Sequence, residues 1–297
     1  MAEKATIRFA TSPSSWGVLD KNGGPSGTTW MDFLDEASMA GYTNIELGPF
    51  GYFPIDRDLL ERVLDNRDMR ICAGTLCIDF ERVRNFSYLD DDIDAMCDFL
   101  YDTGAKKLVL TDTSYRKVDR PVTGKNLRRV FRMIRDIEEY AREVYELEAV
   151  FRPSVGSNIE TEDEINLLLD SCPKINLCLD TGHFAFMNSH STNRDDSTAD
   201  FMSSHADRIT YLHLSNVDPD ILRHVRKMKM TYSEAMANGV MCPLDRGLID
   251  YRDIRDVLEK IAYDGTAVID THITNAYPGE AFNTARHNLD YLRLLGF

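Results

Sequence analysis

The stretch Cys178-Leu179-Asp180-Thr181-Gly182-His183 runs out of an apolar segment, residues 175–179, into an acid, a glycine and a histidine. A buried strand that ends at a polar site reads this way. Asp180 then stands at the strand end, and His183 lies three residues on, in the following loop. In parallel α/β proteins ligands bind at the carboxyl ends of the strands. The rest of the chain is therefore expected to bring other polar strand ends to meet this one.

Outward from that stretch the pattern repeats. Strand-like runs cover residues 7–11, 44–47, 69–76, 107–111, 149–152, 209–214 and 266–269. Segments with apolar residues at helical spacing alternate with them. Trp30, Phe33, Leu34 and Ala37 form one such face, with Thr28 or Thr29 as a cap and Gly41 as its end. Leu127, Val130, Phe131, Ile134, Ile137 and Ala141 form a longer one, and Thr161-Glu162-Asp163-Glu164 opens another as a capping box. Residues 188–198 read as a polar loop, and 218–247 as a long excursion without assigned structure. Eight strands alternating with about eight helices fit a (β/α)8 TIM barrel better than a doubly wound sheet. No GxGxxG or GxxxxGK[ST] run follows a strand. With no linker and no shift of composition, residues 1–297 are expected to form a single domain.

The bulk numbers narrow the function. Of 297 residues, 43% are hydrophobic and 28% charged, and Lys plus Arg (34) against Asp plus Glu (49) leave a formal charge of −15. So acidic a surface repels phosphate backbones and anionic membranes, so neither nucleic acid nor membrane is an expected partner. The six cysteines form no CxxC pair, and Cys72, Cys77 and Cys178 lie in strand-like runs, which suits reduced core residues. No signal core or run long enough to span a bilayer is seen, so the expected location is cytoplasmic. The sequence leaves a homo-oligomer open.

Polar residues at the expected strand ends are Trp16, Glu46, Arg152, Asp180 with His183, His213, and Asp270 with His272. Carboxylates and imidazoles brought together from separate strands suit a divalent metal, and Mn2+, Co2+, Zn2+ and Mg2+ all accept such sets. Each residue also has a plainer reading. Asp180 could cap the next turn, His183 could be a structural hydrogen bonder, and His213 a satisfied core histidine. Glu46 could pair with an arginine, and Trp16 could be ordinary core. Asp270 follows Val268-Ile269, where burial without a partner is costly, which favours a function. His190, His205, His224 and His287 sit away from strand ends.

Taken together, these motifs resemble the xylose isomerase-like sugar isomerase/epimerase superfamily, and within it the inosose dehydratase group. The residues that carry the resemblance are Ser12-Pro13-Ser14-Ser15-Trp16-Gly17-Val18, residues 40–51, Leu179-Asp180-Thr181-Gly182-His183 and His213-Leu214-Ser215-Asn216-Val217. Residues 243–251 and Tyr291-Leu292 add to it. The resemblance implies a TIM barrel with one divalent metal at its C-terminal face, held here by Asp180, His213 and Asp270. It matches His183 to a residue that contacts a substrate oxygen, and Glu46 to the acid ending the second strand.

Two departures stand out. Arg152-Pro153-Ser154 replaces the expected strand-five acid, and Ser215-Asn216 replaces a Lys-Asp pair. Arg has no lone pair with which to ligate a cation.

The expected activity is that of a lyase, isomerase or epimerase of carbohydrate metabolism. It enolises a sugar or polyol ketone, as an inosose dehydratase does, with a divalent metal (Mn2+, Co2+, Mg2+ or Zn2+) as Lewis acid. Asp270, His183, Glu46 and Arg152 are the candidate catalytic residues. Trp16, His183, Arg152 and His272 are candidates for substrate binding. Arg152 could bind a substrate anion or stand in the metal's place as a fixed positive charge. The competing readings are a degenerate, metal-free barrel that binds a sugar or a partner without chemistry, and an apurinic-site nuclease, which calls for more histidines and a basic face.

Overall fold

The computed structural model describes residues 5–18, 21–22, 27–83, 85–86, 90–114, 124–271 and 279–297. His272 lies outside the described residues. Ten strands are present among them: β1 Thr6–Thr11, β2 Asn44–Glu46, β3 Arg70–Ile78, β4 Lys107–Asp112, β5 Glu148–Arg152, β6 Asn176–Asp180, β7 Ile209–Leu214, β8 Asn216–Val217, β9 Met241–Cys242 and β10 Asp264–Ile269. Eight of them close a barrel in the order β1-β10-β7-β6-β5-β4-β3-β2, and every pairing is parallel. The expected TIM barrel is what forms. β8 and β9 make a separate antiparallel pair outside it.

The helices begin and end where the local chemistry directs. Thr29 caps Trp30–Ala40 and exchanges hydrogen bonds with Asp32 as a capping box, and Gly41 closes the helix with φ 98°. Thr161 and Glu164 form the capping box of Glu162–Ser171, as expected. The 188–198 segment is not wholly irregular, because a helix spans Ser197–Ser204. The 218–247 excursion holds two helices, Pro219–Met228 and Tyr232–Ala237, that pack around Val217, Leu222, Val225, Ala235 and Val240. Asn216 ties the excursion down. Its amide donates to the Leu244 and Ile249 carbonyls (2.8 and 3.0 Å) and its oxygen accepts from Val217 and Ile249 N–H. A Cβ at Gly247 would collide with that side chain, which is why a glycine stands there.

Side chains alternate along a strand, so every second residue points into the barrel. The interior is filled by Ala10, Ala73, Val109, Val150, Cys178, Tyr211 and Val268. Two residues further along four of these strand paths stand Arg152, Asp180, His213 and Asp270. The polar cluster is thus the next layer up of the same interior, at the carboxyl ends of the strands. No helix among the described residues is long and apolar enough to cross a membrane. Five of the six free cysteines are fully or partly buried, while Cys77 is exposed, contrary to the core reading.

Candidate active site

Register puts the central pair side by side: Asp180 on β6 lies opposite His213 on β7. Asp270 follows β10, and its N–H donates to the Leu214 carbonyl at 3.0 Å. Arg152 ends β5 and pairs in register with nothing beyond Thr111 on β4 among the described ladders. Glu46 ends β2, at a register irregularity. Asp180, His213, Asp270 and Glu46 are all at most 3% exposed. The Arg152 side chain, at 14%, is the most open of the five.

Arg152 Nη1 is the hub. It lies 3.2 Å from His213 Nδ1, 3.6 Å from Asp180 Oδ2 and 3.7 Å from Asp270 Oδ2. His213 bridges two acids, with Nδ1 3.3 Å from Asp270 Oδ2 and Nε2 3.2 Å from Glu46 Oε2. Burial opposes a charge on His213, but Cys178, Glu46 and Asp270 favour it and prevail, raising its pKa well above the histidine norm. Burial likewise opposes the charge on Arg152, and Asp180 and Asp270 hold its pKa above the usual guanidinium value. Burial pushes the Asp180 carboxyl up, yet His183, Arg152 and His213 draw it below the ordinary range. Two cations among three carboxylates keep most of this buried charge paired, which is the condition for burying it at all.

A supporting layer fixes the acids. Ser215 Oγ donates to Asp180 Oδ1 at 2.6 Å and accepts from Gly182 N–H at 3.0 Å. Ser14 and Ser15 hydroxyls donate to Asp270 Oδ1 at 2.5 and 3.3 Å. Thr75 Oγ1 donates to Glu46 Oε1 at 3.1 Å. Below, the Tyr211 ring packs under His213 with its hydroxyl 3.2 Å from Cys72 Sγ. Within the cluster Asp180 Oδ2, Arg152 Nε and His213 Nε2 have no hydrogen-bond partner, the last despite its 3.2 Å approach to Glu46.

The loop expected after Asp180 is a helix. Asp180 caps Thr181–Asn188 by accepting the His183 N–H at 3.1 Å, so the capping role and a place in the cluster coexist. Gly182 sits where a Cβ would collide with Ser215. His183 is locked at both ring nitrogens. Val155 N–H donates to Nδ1 at 3.0 Å, and Tyr232 Oη lies 3.0 Å from Nε2. An Nδ1 that accepts a backbone N–H leaves the ring proton on Nε2, and Nε2 lies 4.0 Å from Asp180 Oδ2.

Of the expected residues, Glu46, Arg152, Asp180, His183, His213 and Asp270 come together. Trp16 does not: it is 2% exposed, packs edge-on against Phe33 at 5.0 Å and donates its N–H to Glu36 at 2.6 Å. Its neighbours Ser14 and Ser15 reach the site instead. Tyr232, Ser215, Ser14, Ser15 and Thr75 were not among the expected site residues. Only Ser14, Ser15 and Ser215 fall in motifs that could have pointed to them.

The expected metal can be tested against this geometry. Among the described residues, no group of three or more His, Cys, Asp and Glu side chains could hold an ion. Asp180, His213 and Asp270 do face a common point, but Arg152 Nη1 fills it. An ion bonded to all three would sit about 2.0–2.3 Å from each, in the space the guanidinium occupies. At ~4 Å from the guanidinium, a doubly charged ion would be repelled by about 8 kcal/mol at an effective dielectric near 20. As arranged, the residues do not fit a divalent metal.

An eight-stranded parallel barrel with polar residues gathered at the carboxyl ends of its strands defines a TIM-barrel protein. More narrowly, the chain belongs to the xylose isomerase-like TIM barrel family, whose model matches residues 34–295. It is 24% identical over 283 residues to an inosose dehydratase of Geobacillus thermodenitrificans, covering 91% of each chain. Among solved structures it is similar to the probable 3-DHS dehydratase AsbF of Bacillus anthracis, at a TM-score of 0.73 and 16% identity, covering 96% of this chain and 98% of that one. It is also similar to the IOLI protein, solved with a bound zinc atom, at a TM-score of 0.72 and 12% identity, covering 97% of each. These structural likenesses establish the shared barrel.

Proposed function

We propose that the barrel mouth is the active site of a cytoplasmic enzyme that enolises a sugar or polyol ketone. The inosose dehydratase relative and the probable dehydratase neighbour support a carbon–oxygen lyase acting on a cyclic polyol ketone. The single observation that carries the reading is the meeting of Arg152 with Asp180, His213, Asp270 and Glu46 at the strand ends. It brings proton acceptors and fixed positive charge to one point, which is what forming and holding an enolate requires.

In this reading the ketone oxygen faces Arg152. A hydroxyl on the neighbouring carbon donates to Asp180 Oδ2, a buried acceptor that lacks a donor. Asp270 or Glu46 takes the proton from the carbon next to the carbonyl. The C–H electron pair becomes a C=C bond, and the carbonyl π pair moves to the oxygen, where the guanidinium stabilises it. In dehydration the C=O re-forms, the C=C pair shifts to the adjacent C–C bond, and the β-hydroxyl leaves. The carboxyl group that took the proton returns it to that hydroxyl, which departs as water, so the net change is loss of one water. Return of the proton to the opposite face would give epimerisation instead. Dehydration is favoured over epimerisation by the inosose dehydratase relative.

The test is proton NMR in deuterated water with a panel of inososes, keto-hexoses and open-chain keto-polyols. Deuterium at the carbon next to the carbonyl, with an enone or its tautomer accumulating, is the expected result. Protein that catalyses no exchange with any member would refute the reading in favour of a barrel that binds without chemistry.

A further inference from the structure

We infer that Arg152 takes the part of a divalent ion in this barrel, so that the site carries its positive centre as a covalently attached guanidinium and works without a bound metal. The inference rests on the catalytic reading of the barrel mouth. Arg152 reaches the cluster because it lies two residues beyond the interior Val150, just as Asp180, His213 and Asp270 lie two beyond Cys178, Tyr211 and Val268. The three side chains that would ligate an ion all turn toward Nη1, at 3.2, 3.6 and 3.7 Å. Asp180 and Asp270 anchor the guanidinium, His213 pairs beside it with Asp270 and Glu46, and the presence of these three side chains needs no metal to explain it.

The substitution changes what the site can do. A guanidinium is charged at every working pH, carries one unit of charge rather than two, and presents directional N–H groups in a plane. It cannot accept an oxygen lone pair as a Lewis acid does, but a planar fork suits two adjacent oxygens, such as those of a hydroxyketone or its enediolate. At 14% exposure its side chain is more open than the carboxylates that hold it, which are at most 4% exposed. An incoming ketone therefore meets the cation first. The Nε–H, buried without a partner, is a second donor on the same fork.

The probe is Mn2+. Protein purified without chelators is assayed for metals by mass spectrometry and then titrated with Mn2+ while the free ion is read by electron paramagnetic resonance. Arg152→Glu is titrated beside it, because it places an acid among Asp180, His213 and Asp270. The expected result is wild-type protein with far less than one equivalent of any transition metal and no saturable Mn2+ binding. R152E is expected to bind Mn2+ at least roughly tenfold more tightly than wild type, with the gain lost when Asp180→Asn is added. If R152E does not fold, Arg152→Gln takes its place; it removes the repelling charge and is likewise expected to gain affinity. Stoichiometric metal in the wild type, released by Asp180→Asn, would overturn the inference. Turnover of a ketone only when metal is present would also overturn it, while leaving the enolisation reading intact. A metal-free protein inert toward every ketone would do the reverse.

Discussion

Removing one hydroxyl, in Ser215→Ala, should reveal how firmly the Asp180 end of the cluster is held. Ser215 is fully buried, and its Oγ both donates to Asp180 Oδ1 and accepts from Gly182 N–H. The lost bond to a charged acceptor is worth about 1.5–3 kcal/mol, and a stranded buried N–H costs about 1–3 kcal/mol. Asp180 Oδ1 keeps the His183 N–H, so the charge is not left bare. A net loss of about 3 kcal/mol is the central expectation. At roughly 2.1 cal/mol/K of unfolding entropy per residue, a chain this long has about 0.6 kcal/mol/K, so the midpoint should fall by about 5 °C. Scanning calorimetry and urea unfolding measure both quantities. Gly182→Ala should also destabilise, because its Cβ would meet the Ser215 hydroxyl, and the double variant should cost less than the two single ones together. A midpoint for S215A within 1 °C of the wild type, at about 0.6 kcal/mol for the whole change, would mean that the hydroxyl does not hold Asp180 as described.

Tyr232→Phe should lower kcat on the order of ten- to a hundredfold by releasing the Nε2 side of His183, with little change in the thermal midpoint; an unchanged kcat would remove Tyr232 from the site. Trp16→Phe should cost about 2–3 kcal/mol through the lost bond to Glu36 and the smaller ring, while kcat/KM stays near wild type, and a selective rise in KM would restore Trp16 to the pocket. Glu148→Gln should flatten the acid side of the stability profile. Burial pushes the Glu148 carboxyl up, but Lys107, Thr210 and Asn176 bring it below the carboxylate norm. Its contribution is therefore present above the ordinary carboxylate range and lost as pH falls through the depressed value. With 40% of that side chain exposed, the effect should be about 1 kcal/mol or less, read from urea midpoints across the acid range.

The barrel was legible in the sequence because its strands are short apolar runs punctuated by helix caps such as Thr29 and Thr161. The cluster was legible for a related reason. Val150 and Arg152, Cys178 and Asp180, Tyr211 and His213, and Val268 and Asp270 each pair an interior residue with a polar one two places on. Trp16 misled, because a large ring in a turn-rich segment serves a pocket wall and a core equally well, and only the partner Glu36 decides between them. Helix Thr181–Asn188 was hidden by its apolar, glycine-containing start, and Tyr232 by the excursion that carries it. Ser215-Asn216 looked like lost chemistry; in the fold these residues are the ties of Asp180 and of the 243–249 turn. The sequence left Arg152 open between binding a substrate anion and standing in the metal's place, because the focus of Asp180, His213 and Asp270 exists only once the barrel closes.

The most direct test of the account is a crystal structure of chelator-treated wild-type protein soaked with an inosose. The ring carbonyl oxygen is expected about 3 Å from the Arg152 guanidinium, with a neighbouring hydroxyl on Asp180 Oδ2. An inosose bound away from Arg152, Asp180 and His213 in that crystal would contradict it.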